Sequence, residues 1–304
     1  MKQEVIPKKY YRFSILESCD YMDRHLNYYN ELPTLYLIPT PIGNMEDMTI
    51  RALSVLKKVD ILFAEDTRVS IKLLNYYNLQ IPLKSYHEHN KATQTDVILS
   101  LLKEGKTVGL VSDAGMPLMS DPGFEIVQVA IEAGFNVVSL PGANAALTGL
   151  AMSGIKPHPF TFYGFLNPRS SKRQKELELL KIRTETLLFY EAPHRIKDTL
   201  YDLYKVFGDR KACIAREISK KFEEMIRGTL SELKDLEDLP GEMVIIVSGY
   251  DSSLEVMEEI SIVSRVETLI QEGLSKNDAF KKVASERGLA KSVIYKEYHE
   301  NHLD

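Results

Sequence analysis

The stretch TLYLIPTPIGNMEDMTIRALSVLKKVDILFAED, residues 34–66, decides the fold class. TLYLIPT (34–40) is a short apolar run bounded by turn residues, as expected of a strand buried on both faces. MTIRALSVLKKV (48–59) spaces its apolar residues as an amphipathic helix does, and DILFAED (60–66) reads as a strand again. A strand, a helix and a second strand in that span imply a crossover and a parallel pair. The rhythm continues with a helix at about 94–104 stopped by Gly105, a strand TVGLVS (107–112) and a helix at about 121–133 stopped by Gly134. The strand NVVSL (136–140) and the helix ANAALTGLAMSG (143–154) follow. Such a unit is α/β, with a largely parallel sheet covered on both faces and ligands bound beyond the carboxyl ends of its strands.

A proline- and aromatic-rich linker, IKPHPFTFYGFLNP (155–168), leads to a second α/β unit. There TLLFYE (186–191), RKACIARE (210–217) and GEMVIIVSG (241–249) read as strands, with helices at about 171–183 and 194–206. Beyond Gly249, three helical patterns punctuated by Gly273 and Gly288 suit a small helix-turn-helix bundle. From 261 to 304 seven basic residues meet seven carboxylates, so this tail reads equally as a structural cap and as an RNA contact. The expected organisation is an extension at 1–33, α/β domains at 34–157 and 158–250, and a helical tail at 251–304.

Composition narrows the function classes. With 304 residues, 44% hydrophobic and 27% charged, the chain has a globular balance, and no apolar run reaches membrane-span length. The first 33 residues are polar and tyrosine-rich, unlike a secretory signal, so a cytoplasmic location is the default expectation. Cys19 and Cys213 are far apart and lack metal-ligand spacing, which predicts neither a disulfide nor a metal site.

Four strand ends carry the candidate chemistry: PTPIGN (39–44), AEDTR (64–68), SDAGMPLMSDPG (112–123) and LPGANAA (140–146). Any one reads as an ordinary turn. Four on one sheet rim read as a site. Neither G-x-G-x-x-G nor G-x-x-x-x-G-K-[ST] occurs, which argues against a polyphosphate ligand. Small residues at 113–117 and 141–145 would let backbone N–H and C=O groups reach a moderately polar ligand such as an adenine and its ribose. Asp113 adds recognition of a hydroxyl or an ammonium group.

The motifs LIPTPIGNMEDMTIRAL, AEDTRVS, LVSDAGMPLMSDPG, LPGANAALTGLAMSG, FYEAPHR and AREISKKFEE, in this order and spacing, resemble the tetrapyrrole methylase-like (class III) S-adenosylmethionine-dependent methyltransferases, in the branch that acts on ribosomal RNA. The resemblance covers residues 34 to 249, and the tail is similar to that branch's helical domain. It implies a homodimer of two-domain subunits, with S-adenosyl-L-methionine folded into the cleft between domains. It also implies 2′-O-methylation of a decoding-region cytidine in the 16S rRNA of the small ribosomal subunit, and no membrane partner. By position it implies Pro41, Asp113, Met116, Asn144, Ala145, Phe189, Tyr190 and Ala215 as cofactor neighbours. Met116 stands where threonine is common, and PGANA where PGPSA is common.

Such a transfer needs the ribose oxygen aligned with the sulfonium methyl in a dry site, and an acceptor for the hydroxyl proton. Glu65, Asp66, His87, His89 and Glu191 are the candidate acceptors, and the carboxylates of AEDTR are favoured over the histidines. Asp66 has competing duties as a partner of Arg68 or a cap of the next helix. Arg68 and Arg195 suit a backbone phosphate. PRSSKRQKELELLKIR (168–183) holds six basic residues against two acidic ones in a chain of net charge −5. Lys172, Arg173 and Lys175 are therefore expected to meet RNA, with Phe160, Phe162 or Tyr163 stacking on a base. Two rival readings are methylation of a tetrapyrrole carbon, disfavoured by AEDTR and FYEAPHR, and a non-catalytic RNA-binding factor using the tail.

Overall fold

The structure, a computed structural model, describes residues 32–236, 239–251 and 261–300. The expected extension lies outside the described residues but for its last two. The chain divides into two compact units, one made of residues up to Ile38 with Leu53–Val111 and Pro122–Leu140, the other of Pro39–Ala52, Ser112–Asp121 and the chain from Pro141 onward.

The first part of the chain runs β1 (Thr34–Leu37), α1 (Ile50–Leu56), β2 (Ile61–Ala64), α2 (Thr67–Tyr76), β3 (Leu83–Ser85), α3 (Lys91–Lys103), β4 (Val108–Val111), α4 (Phe124–Glu132) and β5 (Asn136–Ser139). The strands form one parallel sheet in the order β3-β2-β4-β1-β5. All four residues of β2 and of β4 are buried, as strands covered on both faces must be. Gly109 sits mid-strand because its neighbours fill the space: a Cβ there would lie 2.8 Å from Leu62 Cδ1. The helices expected at 94–104 and 121–133 form with their glycine stops, Gly105 at φ +85° and Gly134 at φ +79°. The reading of the sequence gave α2 no range beyond Asp66 as a possible cap of a following helix, and it missed β3. Asp66 caps α2 through the Arg68 amide, so the polar turn that hid the helix is also its start.

The second unit continues with α5 (Ala145–Ser153), β6 (Phe160–Phe165), α6 (Ser170–Leu180), β7 (Thr186–Glu191), α7 (Ile196–Phe207), β8 (Lys211–Arg216), β9 (Glu224–Thr229), α8 (Leu230–Leu233) and β10 (Met243–Val247). Its sheet is mixed, in the order β6-β7-β10-β8-β9, with only β6 and β7 parallel. The supposed linker 155–168 therefore contains a strand, with a bulge between Phe162 and Gly164, where the φ of Gly164 is +84°. Successive residues alternate between two cores. Leu187, Phe189, Ile214 and Ile245 face one cluster with Leu177, Leu200, Leu203 and Phe207. Leu188, Cys213, Ala215 and Ile246 face another with Ala146 and Leu150 of α5. Each large side chain so buried stabilises the unit by about 1.5–3 kcal/mol relative to exposure.

The tail forms α9 (Ile262–Gln271), α10 (Lys276–Arg287) and α11 (Lys291–Glu300). Ser261 and Ser275 cap the first two, and Val266, Leu269, Phe280, Val283, Ile294 and Tyr298 are buried together.

Candidate active site

Three turns of the second unit converge. Thr40 and Gly115 exchange both backbone hydrogen bonds, at 2.9 and 3.0 Å, and Thr40 Oγ1 donates to the Ser112 carbonyl at 3.2 Å. Gly115 has φ +79°, and a Cβ on it would meet Ile42 Cγ2 at 3.2 Å and the Ala143 carbonyl oxygen at 3.6 Å. A Cβ on Gly142 would collide with the Pro39 ring. Where the turns 39–44, 112–121 and 141–145 meet, then, backbone and small side chains form the surface. Pro41, Asp113 and Met116 are half-buried on two of these turns. Asn144 Oδ1 accepts from the Leu147 amide at 2.9 Å, so its side chain caps α5, and Ala145 opens that helix. Ala215 is buried beneath α5, where Gly149 allows close approach: a Cβ on Gly149 would be 3.1 Å from that of Ala215.

Tyr190 packs edge-on to Phe162 and Phe165, with centroids at 4.9 and 5.6 Å. Burial pushes its phenol above the ordinary range, and the Ala146 amide donating to it acts the other way. Phe189 corrects an expectation. Its ring points to the opposite face of the sheet and is fully buried there, because neighbouring residues of β7 alternate. The run LLFY within TLLFYE has no polar alternation and gives no clue to which residue faces which side.

In the first unit, the parallel register Ala64↔Ser85 sets the turn 65–68 beside residues 86–89, and the Tyr86 amide donates to the Ala64 carbonyl at 2.7 Å. Asp66 receives Arg68 Nε on Oδ1 at 3.0 Å and Nη2 on Oδ2 at 2.6 Å. Hydrogen bonding by the Arg68 side chain, then by its amide, lowers the Asp66 carboxyl from 3.8 to about 2. So acidic a carboxylate is a weak proton acceptor near neutral pH. His87 is half-buried and His89 exposed, their rings 6.0 Å apart.

The depressed value has a measurable sign. Asp66 supplies its stabilisation in full above its ordinary value of 3.8 and loses it as pH falls through about 2. Asp66→Asn keeps a cap-forming side chain and removes the charge. Its urea midpoint should trail wild type by a constant margin from neutral pH down to about 4. The two should converge at lower pH, and a gap that widens on acidification would refute the pairing.

Three further expectations fall on groups already engaged. Glu191 is buried, with Oε1 accepting from the Ala192 amide at 2.8 Å and Oε2 from Thr199 Oγ1 at 2.6 Å, so it anchors α7 rather than standing ready for a proton. Arg195 Nε lies 3.2 Å from Glu191 Oε1, and Nη2 donates to the Leu166 carbonyl at 2.7 Å, which ties β6 to β7 in place of a phosphate. Arg173 is 2% exposed and joined to Asp202, Nε to Oδ2 at 2.7 Å, so it is a core ion pair and not an RNA contact. Lys172 and Lys175 are exposed on the same helix. Among the described residues no group of three or more His, Cys, Asp or Glu could hold a metal ion, and no helix is long and apolar enough to cross a membrane.

Residues 34–234 match the sequence pattern of the family described as Tetrapyrrole (Corrin/Porphyrin) Methylases. The chain belongs to the tetrapyrrole methylase family. Within it, Ribosomal RNA small subunit methyltransferase I of Bacillus subtilis (strain 168) is 48% identical over 278 residues, 89% of this chain and 95% of that protein. The protein of the same name from Halalkalibacterium halodurans is 46% identical over 274 residues, 88% and 95% of the two chains. Among solved structures, uroporphyrin-III-C-methyltransferase from Thermus thermophilus superposes with a TM-score of 0.53 at 20% identity, covering 71% of this chain and 94% of that one. Diphthine synthase superposes at 0.57 with 13% identity, covering 71% and 90%. At such identities the likeness speaks for the tetrapyrrole methylase fold alone, the α/β fold with C-terminal helices expected from the sequence. Methyltransferases of this family use S-adenosylmethionine.

Proposed function

We propose that the protein methylates the ribose 2′-hydroxyl of a decoding-region cytidine in 16S rRNA, acting as a cytoplasmic homodimer with domains at 34–157 and 158–250. The observation that carries this reading is the near full-length similarity to a protein named Ribosomal RNA small subunit methyltransferase I, 48% over 89% of the chain. S-adenosylmethionine supplies an activated methyl group on a sulfonium. The converging turns suit such a molecule, because side chains are excluded where Gly115 and Gly142 pack and peptide groups take their place. Pro41, Asp113, Met116, Asn144, Ala145 and Tyr190 hold it, with Asp113 accepting from a hydroxyl or ammonium group, while Ala215 is buried in the core beneath α5 and supports that helix. Glu65, in the favoured AEDTR turn, accepts the ribose proton, and its neighbour Asp66, held acidic by Arg68, is the poorer acceptor. Mass spectrometric mapping of ribose methylation in 16S rRNA from a gene-deleted strain tests the reading. One 2′-O-methyl group should be missing, and purified protein with S-adenosylmethionine should restore it. An unaltered methylation map would overturn the assignment.

Lys172 and Lys175 bring RNA phosphates to this surface. Changing both to glutamine should leave cofactor affinity unchanged and flatten the dependence of log RNA affinity on log salt, by roughly 0.7 for each phosphate no longer neutralised. An unaltered slope removes α6 from the RNA path.

A further inference from the structure

We propose that the tip of the β8–β9 hairpin, residues 217–223, binds a single-stranded stretch of the RNA substrate, with the Phe222 ring stacking on a base and Lys221 Nζ meeting an adjoining phosphate. This rests on the RNA-methylating reading above. The two strands pair antiparallel as far as Arg216↔Glu224, so the tip is a short connection with little freedom. It is also strained, because Glu217 and Ser219 hold φ values of +51° and +65°, where side chains other than glycine crowd the backbone.

A network holds that strain in place. Glu217 Oε1 accepts from Lys220 Nζ at 2.8 Å and from the Glu242 amide at 3.0 Å, and Lys220 Nζ also reaches Glu242 Oε2 at 3.0 Å. Glu223 Oε2 accepts from the Ser219 amide at 2.7 Å, and Arg216 closes the base of the hairpin on Glu224 at 2.7 Å. The carboxylates around the tip are thus engaged by Lys220, Arg216 and backbone amides, which reduces their repulsion of a phosphate. Strained backbone held by its surroundings marks positions kept for something other than stability.

What the tip presents is an aromatic ring beside a cation. Phe222 is 66% exposed, and Lys221 Nζ stands 5.6 Å from its ring centre. A rigid ring and a lysine are the two elements that single-strand binding needs: a stacking platform indifferent to sequence, and a charge for the backbone. The tip also adjoins the proposed cofactor turns. The Lys220 stem lies so close to Gly43 that a Cβ there would overlap Lys220 Cγ, which places the hairpin tip against the turn 39–44.

Binding of 16S rRNA measured at several salt concentrations tests the site. Phe222→Ala should weaken RNA affinity about tenfold to hundredfold. Phe222→Trp should retain it. Lys221→Gln should lower the salt slope by roughly 0.7. S-adenosylmethionine affinity and circular dichroism should not change in any of the three. Wild-type RNA affinity in Phe222→Ala overturns the proposal, as does an equal loss of cofactor binding, which would make Phe222 structural. Failure of the wild-type protein itself to bind 16S rRNA overturns the RNA-methylating reading, and shows before any variant is compared.

Discussion

Asp202→Ala should destabilise the protein by about 3–5 kcal/mol, the cost of leaving a buried charge without its partner. Arg173 and Asp202 are each 2% exposed, and Asp202 also accepts from Ser170 Oγ at 3.0 Å and Gln174 Nε2 at 2.7 Å. Removing the carboxylate leaves the buried guanidinium without its counter-charge, with only the Asn167 and Pro168 carbonyls still near its Nη1. Replacing both ends of the pair with apolar residues, as in Arg173→Met with Asp202→Leu, should recover most of the loss, because a buried pair gains little over good apolar packing. Chemical unfolding measures both effects. A single variant within about 1 kcal/mol of wild type would show that the pair is not sequestered from water.

Asp113→Ala should lower affinity for S-adenosylmethionine about tenfold to hundredfold, the equivalent of one charge-assisted hydrogen bond worth about 1.5–3 kcal/mol. The residue is half-buried in the turn 112–121, beside the paired Thr40 and Gly115. Its circular dichroism should match wild type, which separates weakened ligand binding from loss of structure. Calorimetric titration decides, and unchanged affinity would remove Asp113 from the proposed site.

The α/β alternation was legible because α1 spaces its apolar residues on one face and because α3 and α4 stop at glycines, Gly105 and Gly134. The elements that escaped are those whose sequence carries a second message. β3 has three residues, too few for a period to show, and β6 lies among prolines that signal a linker. β9, EMIRGT, reads as polar because it is an edge strand with no fully buried residue. The site was legible as turn composition, since Gly, Pro, Asp and Asn are what tight turns require. Its pairings were not. Asp66 and Arg68 are near neighbours, and their contact was foreseeable as a competing role. Arg173 meets an aspartate on another helix, which no local pattern reveals. Tyr190 and Phe189 differ only in which way an unbroken apolar run happens to face.

The reciprocal bonds between Thr40 and Gly115 have an entropic consequence. Each amide is satisfied by the carbonyl of the other residue, so drawing the two turns apart must break both bonds. Two turns that belong to different strands then share one opening equilibrium. A molecule that grips either turn damps the fluctuations of both, so the entropy given up on engaging the first is not given up again on engaging the second.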